Sequence, residues 1–242
     1  MTTAATQYPL IGSQPIGNWF IPDTTQRHPL GTVIGFSDPF WGGGEAIYVQ
    51  VPLSTVLKVG AVLTWDTATS FLASNVANTA LLGKEVGFLM NAVASSATAQ
   101  FAWVQISGQC PAFASASVAA DTATGIVAAG QSGANSISKQ ILNCRVTKPA
   151  TTTVVKANTI TQNGSPLIKV QISDGWFVGV SVSGTGITTS LITAIDPDNR
   201  LVTLASNSTA TGAVSATGTY NDATNFFNVV TCNRPAAQGP IT

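Results

Sequence analysis

Charge is what this sequence most lacks. Of 242 residues, 10 are Lys or Arg and 10 are Asp or Glu, which is 8% of the chain, and the formal net charge is zero. An ordinary soluble domain carries about 25% charged residues. Without a basic stripe the chain cannot track a phosphate backbone, so nucleic acid is excluded as a partner. There is one histidine, and a Ser-His-Asp or Cys-His arrangement would have to run through it. That residue, His28, lies between Arg27 and Pro29 in a proline-punctuated stretch, a poor mount for a catalytic group. Its expected role is a surface or interface one. A single histidine also excludes a His-rich metal site. Asp196 and Asp198 share one turn and cannot flank a cleft as a glycosidase pair must. Leu201 and Asn207 stand where a calcium loop wants Gly and Glu. No catalytic residue, metal or cofactor is expected.

Paired cysteines are lacking too. The three present, Cys110, Cys144 and Cys232, are far apart and odd in number, which fits buried free thiols made in a reducing cytoplasm. Met1-Thr2-Thr3-Ala4-Ala5 lacks the basic start and apolar run of a signal peptide, so no targeting segment is expected. Residues 86–120 carry no charge, but Asn91, Ser95, Ser96, Gln100, Gln105 and Gln109 interrupt them, so no membrane span of about 20 apolar residues is expected there. A near-zero net charge promotes association, and a surface of Thr, Ser, Ala, Asn and Gly reads as one packed against copies of itself or a larger body.

What is present is a 45% apolar fraction, enough for a core. Residues 1–30 read as an extended arm, because Pro9, Pro15, Pro22 and Pro29 leave no room for a helix. Tyr8, Leu10, Ile11, Trp19, Phe20 and Ile21 make it too apolar to hang free. It must lie on its own domain or on a neighbouring subunit. Phe40 and Trp41 precede Gly42-Gly43-Gly44, a wide turn or a loop that offers the aromatic pair to a partner. These eight side chains are the candidate interface residues.

The remainder reads as mainly β. Strand patterns cover 46–51, 62–66, and 101–106 closed by Ser107-Gly108, with one short helical turn at 75–82. Residues 31–150 are expected to form a β-barrel-like domain, ending in a strand at 139–146. A joint follows at 147–153. Residues 151–225 place strand patterns at 167–172, 177–182, 191–195 and 200–205 between turn signals, about ten residues apart. That spacing fits a small antiparallel sandwich or barrel, and a β-sandwich module is the expectation. Gly184-Thr185-Gly186 lacks the Lys and helix of a phosphate loop. Residues 226–242 form a last strand and tail. Their Val229-Val230-Thr231-Cys232-Asn233-Arg234-Pro235 echoes Leu142-Asn143-Cys144-Arg145-Val146-Thr147-Lys148-Pro149, which points to a return to the first domain.

Several stretches resemble the head decoration (cement) proteins of tailed bacteriophages. They are Gly31-Thr32-Val33-Ile34-Gly35 onward to Pro111, including Asn78-Thr79-Ala80-Leu81-Leu82-Gly83 and Phe101-Ala102-Trp103-Val104-Gln105-Ile106-Ser107-Gly108, and Lys139-Gln140-Ile141-Leu142-Asn143. Residues Val182 to Thr189, with Thr193-Ala194-Ile195 and Leu201 to Ala205, resemble a small β module of phage structural proteins. The resemblance implies a β-rich subunit, a homotrimer, made in the host cytoplasm and placed on the outer capsid surface of the virion. Its partners would be the major capsid protein and itself, and it brings no catalytic residues. The arm has no match in that family. A receptor- or glycan-binding tail, fibre or capsid-displayed protein is the alternative, with Trp176 and Phe177 as aromatic platforms. An enzyme is the third reading, disfavoured by one histidine and the lack of a convergent acidic pair.

Overall fold

β-Branched and aromatic runs separated by glycine and proline dictate strands. A computed structural model, which describes residues 21–66, 71–74, 83–136 and 139–238 and the backbone of Thr6–Gln7, contains seventeen strands and no helix among those residues. The fold is mainly β. Five of the expected interface residues (Tyr8, Leu10, Ile11, Trp19 and Phe20) and the helical turn at 75–82 lie outside the described residues.

The first unit holds β1 (Thr6–Gln7), β2 (Val33–Asp38), β3 (Gly42–Val51), β4 (Val62–Asp66), β5 (Leu72–Ser74), β6 (Val86–Leu89), β7 (Gln100–Ala114), β8 (Ala123–Ala128), β9 (Gln131–Ala134) and β10 (Gln140–Lys148). The chain then passes through β11 (Thr153–Thr161), β12 (Leu167–Lys169), β13 (Ser181–Gly184), β14 (Ile187–Asp196), β15 (Leu201–Leu204) and β16 (Gly212–Thr219). It ends in β17 (Phe226–Ala237), which returns to the first unit between β7 and β10. The two segments whose sequences echo each other are therefore antiparallel partners, with Cys144 opposite Cys232.

In the first unit the hydrogen bonds close two rings that share β7. One runs β3-β5-β4-β6-β7 and back to β3; the other runs β7-β17-β10-β8-β9 and back to β7. The first half of β7 pairs with β3 and β6, and its second half pairs with β17 from Ser107 to Ala114. The strand expected to close at Ser107-Gly108 thus continues to Ala114. Gly108 makes this possible. β7 bulges between Gln105 and Ser107, and Gly108, with φ of +94°, follows the bulge where the strand changes partners. A Cβ there would press into the Gly43 carbonyl oxygen and come within 3.0 Å of Gly44 Cα. Gly42-Gly43-Gly44 is accordingly neither a turn nor a loop, but the start of β3, and at Gly44 a Cβ would press into the Ser107 carbonyl oxygen of β7.

Each ring has its own core. Ile47, Val49, Val51, Leu63, Leu89 and Val104 fill the first, and Val230, Ile141, Val146, Ile126 and the three cysteines lie in the second. β3 is buried on both faces, which explains why Ala46-Ile47-Tyr48-Val49 does not alternate. Its outer face, Ala46 and Tyr48, joins a third cluster with Ile34, Phe36, Phe101 and Trp103.

The C-terminal module closes into an antiparallel six-strand barrel, β11-β12-β15-β14-β13-β16, sealed by β11 against β16. Turn spacing left sandwich and barrel open, with the sandwich expected; this last seam decides for the barrel. The segment expected as a strand at 177–182 is one only from Ser181. Trp176 to Val180 instead forms buried turns, with Val180 N–H donating to Phe177 O at 3.1 Å. The Trp176 indole donates to Val154 O at 3.0 Å. It lies so closely on Gly218 that a Cβ there would enter the ring.

Candidate interaction surfaces

The aromatic pair expected to face a partner is used inside the chain. Trp41 is buried and Phe40 half-buried. Asp38 ends β2 and accepts both the Phe40 and Trp41 N–H groups at 2.8 Å, which fixes the turn. That turn lays Phe40 on Gly175 of the C-terminal module and points Trp41 at Tyr220, 6.3 Å between ring centres. From Tyr220 the aromatic row continues through Phe177 at 5.3 Å and Phe227 at 5.1 Å to Phe113 at 5.7 Å. Lys148 Nζ lies 5.4 Å from the centre of the Phe40 ring. The expectation of an exposed aromatic anchor is corrected. Phe40 and Trp41 bind the barrel module to the first unit.

The joint at 147–153 is equally built. Asn228 of β17 is 1% exposed. Its Oδ1 accepts the N–H groups of Val118 and Ala150, and its Nδ2 donates to Ala116 O, each at 3.0 Å. One buried amide with these three hydrogen bonds ties the returning strand to the linker. Burial raises the affinity of the Tyr220 hydroxyl for its proton, and that hydroxyl donates to Gly175 O at 2.8 Å.

The described end of the arm lies on its own domain. Asp23 exchanges two backbone hydrogen bonds with Phe101. The Tyr48 hydroxyl donates to Asp23 Oδ2 at 2.8 Å, and Arg27 pairs with Asp23 at 2.9 Å. His28 is buried, its ring edge-on to Tyr48 and Trp103 at 5.2 Å each. Desolvation lowers its pKa, Asp23 opposes that, and Arg27 adds to it. The surface or interface role expected for His28 is corrected. It is a core histidine, and only its long-range partners reveal it, since the local sequence reads as loop. Residues 21–31 are a strap over β3 and β7.

Beside that strap large apolar side chains are exposed, and the charge nearest Leu72 is that of exposed Asp66, its cross-strand partner. Ile21 is 62% exposed, Leu53 50% and Val56 68%. Exposed Leu72 stands beside Gln50, one residue before β3 ends. The loops after β3 and β6 meet here, with Ser54 N–H donating to Ser96 O at 2.8 Å and Leu57 bridged to Val93. No charged residue occurs in residues 1–22, 52–57 or 86–120. A smaller apolar stripe, Val155, Ile160 and Leu167, lies on the outside of β11 and β12. Sequence reasoning named Ile21 but missed Leu53, Val56 and Leu72, because exposure of an apolar residue has no local signal.

Trp176 and Phe177, the aromatic platforms of the glycan-binding alternative, are buried in the barrel module. Asp196 caps the β14–β15 turn by accepting the Asn199 N–H at 3.1 Å. Asp222 and Asn225 repeat the same Asp-x-x-Asn device before β17. Burial raises the Asp222 pKa, but the hydrogen bonds from Asn225 and Thr224 and the nearby Lys58 outweigh it and hold the carboxyl below its usual range. The three thiols meet in the second ring, where burial pushes those of Cys110 and Cys144 well up. Among the described residues no cluster of His, Cys, Asp or Glu could hold a metal ion. The chain matches no protein-family model, no curated protein and no solved structure.

Proposed function

We propose that this protein is a structural subunit of a tailed-phage virion. It binds the outer surface of the capsid as a homotrimer and stabilises contacts between major capsid proteins. The observation that carries the reading is the exposure of the apolar side chains Ile21, Leu53 and Val56, which lie in stretches 1–22 and 52–57 that carry no charge. Burying apolar area stabilises association by about 25 cal/mol per Å². Hydroxyl and amide neighbours can be buried without the large desolvation cost of ions. Symmetry multiplies each contact over many copies. The resemblance to head decoration proteins supports the same reading. The mechanism is area burial, not chemistry.

The test uses the full chain with Ile21→Asp, Leu53→Asp and Val56→Asp combined. All three positions are exposed, so the melting temperature should change little. Occupancy on purified expanded capsids, read by co-sedimentation, should fall at least tenfold, while wild-type binding should vary little between low and moderate salt. Undiminished occupancy of the triple variant, or release of the wild type by moderate salt alone, would overturn the proposal.

A further inference from the structure

The strongest unassigned feature is a pocket of about 270 Å³ opening where β2 leaves β3 and β5 joins it. Its walls are Val33, Ile47, Trp65, Phe71, Val86 and Ile106, with Glu85 and Arg234 among the residues that line it. That volume is near the lower end of small-ligand pockets, roughly 300 Å³, enough for one aromatic ring and a short chain. Both glutamates of the whole sequence are in this neighbourhood, Glu85 in the lining and Glu45 beside it. In a chain with so few charges that convergence demands a reason.

The two carboxylates are not equivalent. Glu45 is neutralised by Arg234, whose Nη2 lies 3.0 Å from its Oε2. Glu85 is exposed and accepts the Trp65 indole N–H at 3.0 Å; among the described residues it forms no ion pair. The indole orients the carboxylate without cancelling its charge. Of the other ionisable groups close by in the chain, Asp66 follows Trp65 and Lys84 precedes Glu85, so Glu45, Glu85 and Asp66 outnumber Arg234 and Lys84 by one. We infer that the pocket is a binding site for an aryl-alkyl ammonium ion, with its ring between Trp65, Phe71 and Ile106 and its cation on Glu85. A charge-assisted hydrogen bond to carboxylate is about twice as strong as a neutral one, and the apolar walls hold the ring. This site is independent of the capsid-binding reading.

The probe is 2-phenylethylamine, titrated into the full-length protein while the Trp65 indole N–H is followed by NMR and assigned with Trp65→Phe. The indole resonance should move saturably. 2-Phenylethanol, with the same ring and no charge, should bind at least tenfold more weakly, and 3-phenylpropanoate more weakly still. Glu85→Gln, at an exposed position, should keep the fold and erase the amine's advantage over the alcohol. Equal binding of amine and alcohol, an advantage that survives Glu85→Gln, or an indole resonance unmoved by millimolar amine would each overturn the inference.

Discussion

Replacing Gly108 by Ala tests whether the change of partners along β7 depends on that glycine. Its φ of +94° lies where an L side chain is strained, at about 1–2 kcal/mol. The new methyl would also press into the Gly43 carbonyl oxygen and lie 3.0 Å from Gly44 Cα. Both are backbone atoms of the neighbouring strand, so no flexible side chain can yield, and overpacking of this kind adds about 1–3 kcal/mol. The sum is about 2–5 kcal/mol. For a chain of this length that lowers the melting temperature by roughly 4–20 °C. Gly42→Ala is the internal control. Its φ is +85° but nothing lies within 4 Å of the added carbon, so it should show only the strain, about 1–2 kcal/mol. Thermal and urea unfolding, followed by circular dichroism, measure both. A Gly108→Ala protein no less stable than Gly42→Ala would refute the close approach of β7 to β3.

Two further outcomes follow from buried ionisable groups. His28 resists protonation in the folded protein because it is desolvated. The unfolded chain takes up that proton near its ordinary pKa of about 6.5, so stability should be full above that pH. It should fall progressively as the pH drops toward the lowered folded value. Melting temperatures between pH 7.5 and 5 should show this decline, and His28→Phe should flatten it; an identical decline in the variant would refute the role of His28. Cys110, Cys144 and Cys232 are buried, and burial disfavours the thiolates of Cys110 and Cys144. Ellman's reagent should therefore titrate three thiols quickly in denaturant and almost none in the native protein. Fast native reaction would show that the second ring opens.

Local chemistry determined a good deal of this protein. Glycine and proline punctuation with β-branched runs dictates strands, and those at 46–51, 62–66 and 101–106 lie within strands of the fold. The absence of charge in 1–22, 52–57 and 86–120 is a property of the sequence alone. It stands whatever the chain folds into. The glycine run after Trp41 was legible as a place where backbone must come close, but not as a strand, because its partner, the β7 bulge between Gln105 and Ser107, is far away in sequence. Phe40, Trp41 and Trp176 were legible as anchors of something. Whether an anchor faces solvent or a neighbouring module depends on where a distant segment lands. The turn at Asp38 aims Phe40 at Gly175, and Asn228 of the returning β17 holds the joint between the two units. The same holds for His28, the meeting of three scattered cysteines, and the convergence of Glu45, Glu85 and Arg234. Composition and short-range spacing set which residues can form strands and which surfaces can be neutral. Tertiary structure alone decided which neutral surface stays open and which aromatics are buried, because hydrogen-bonded closure joins residues that sequence proximity never brings together.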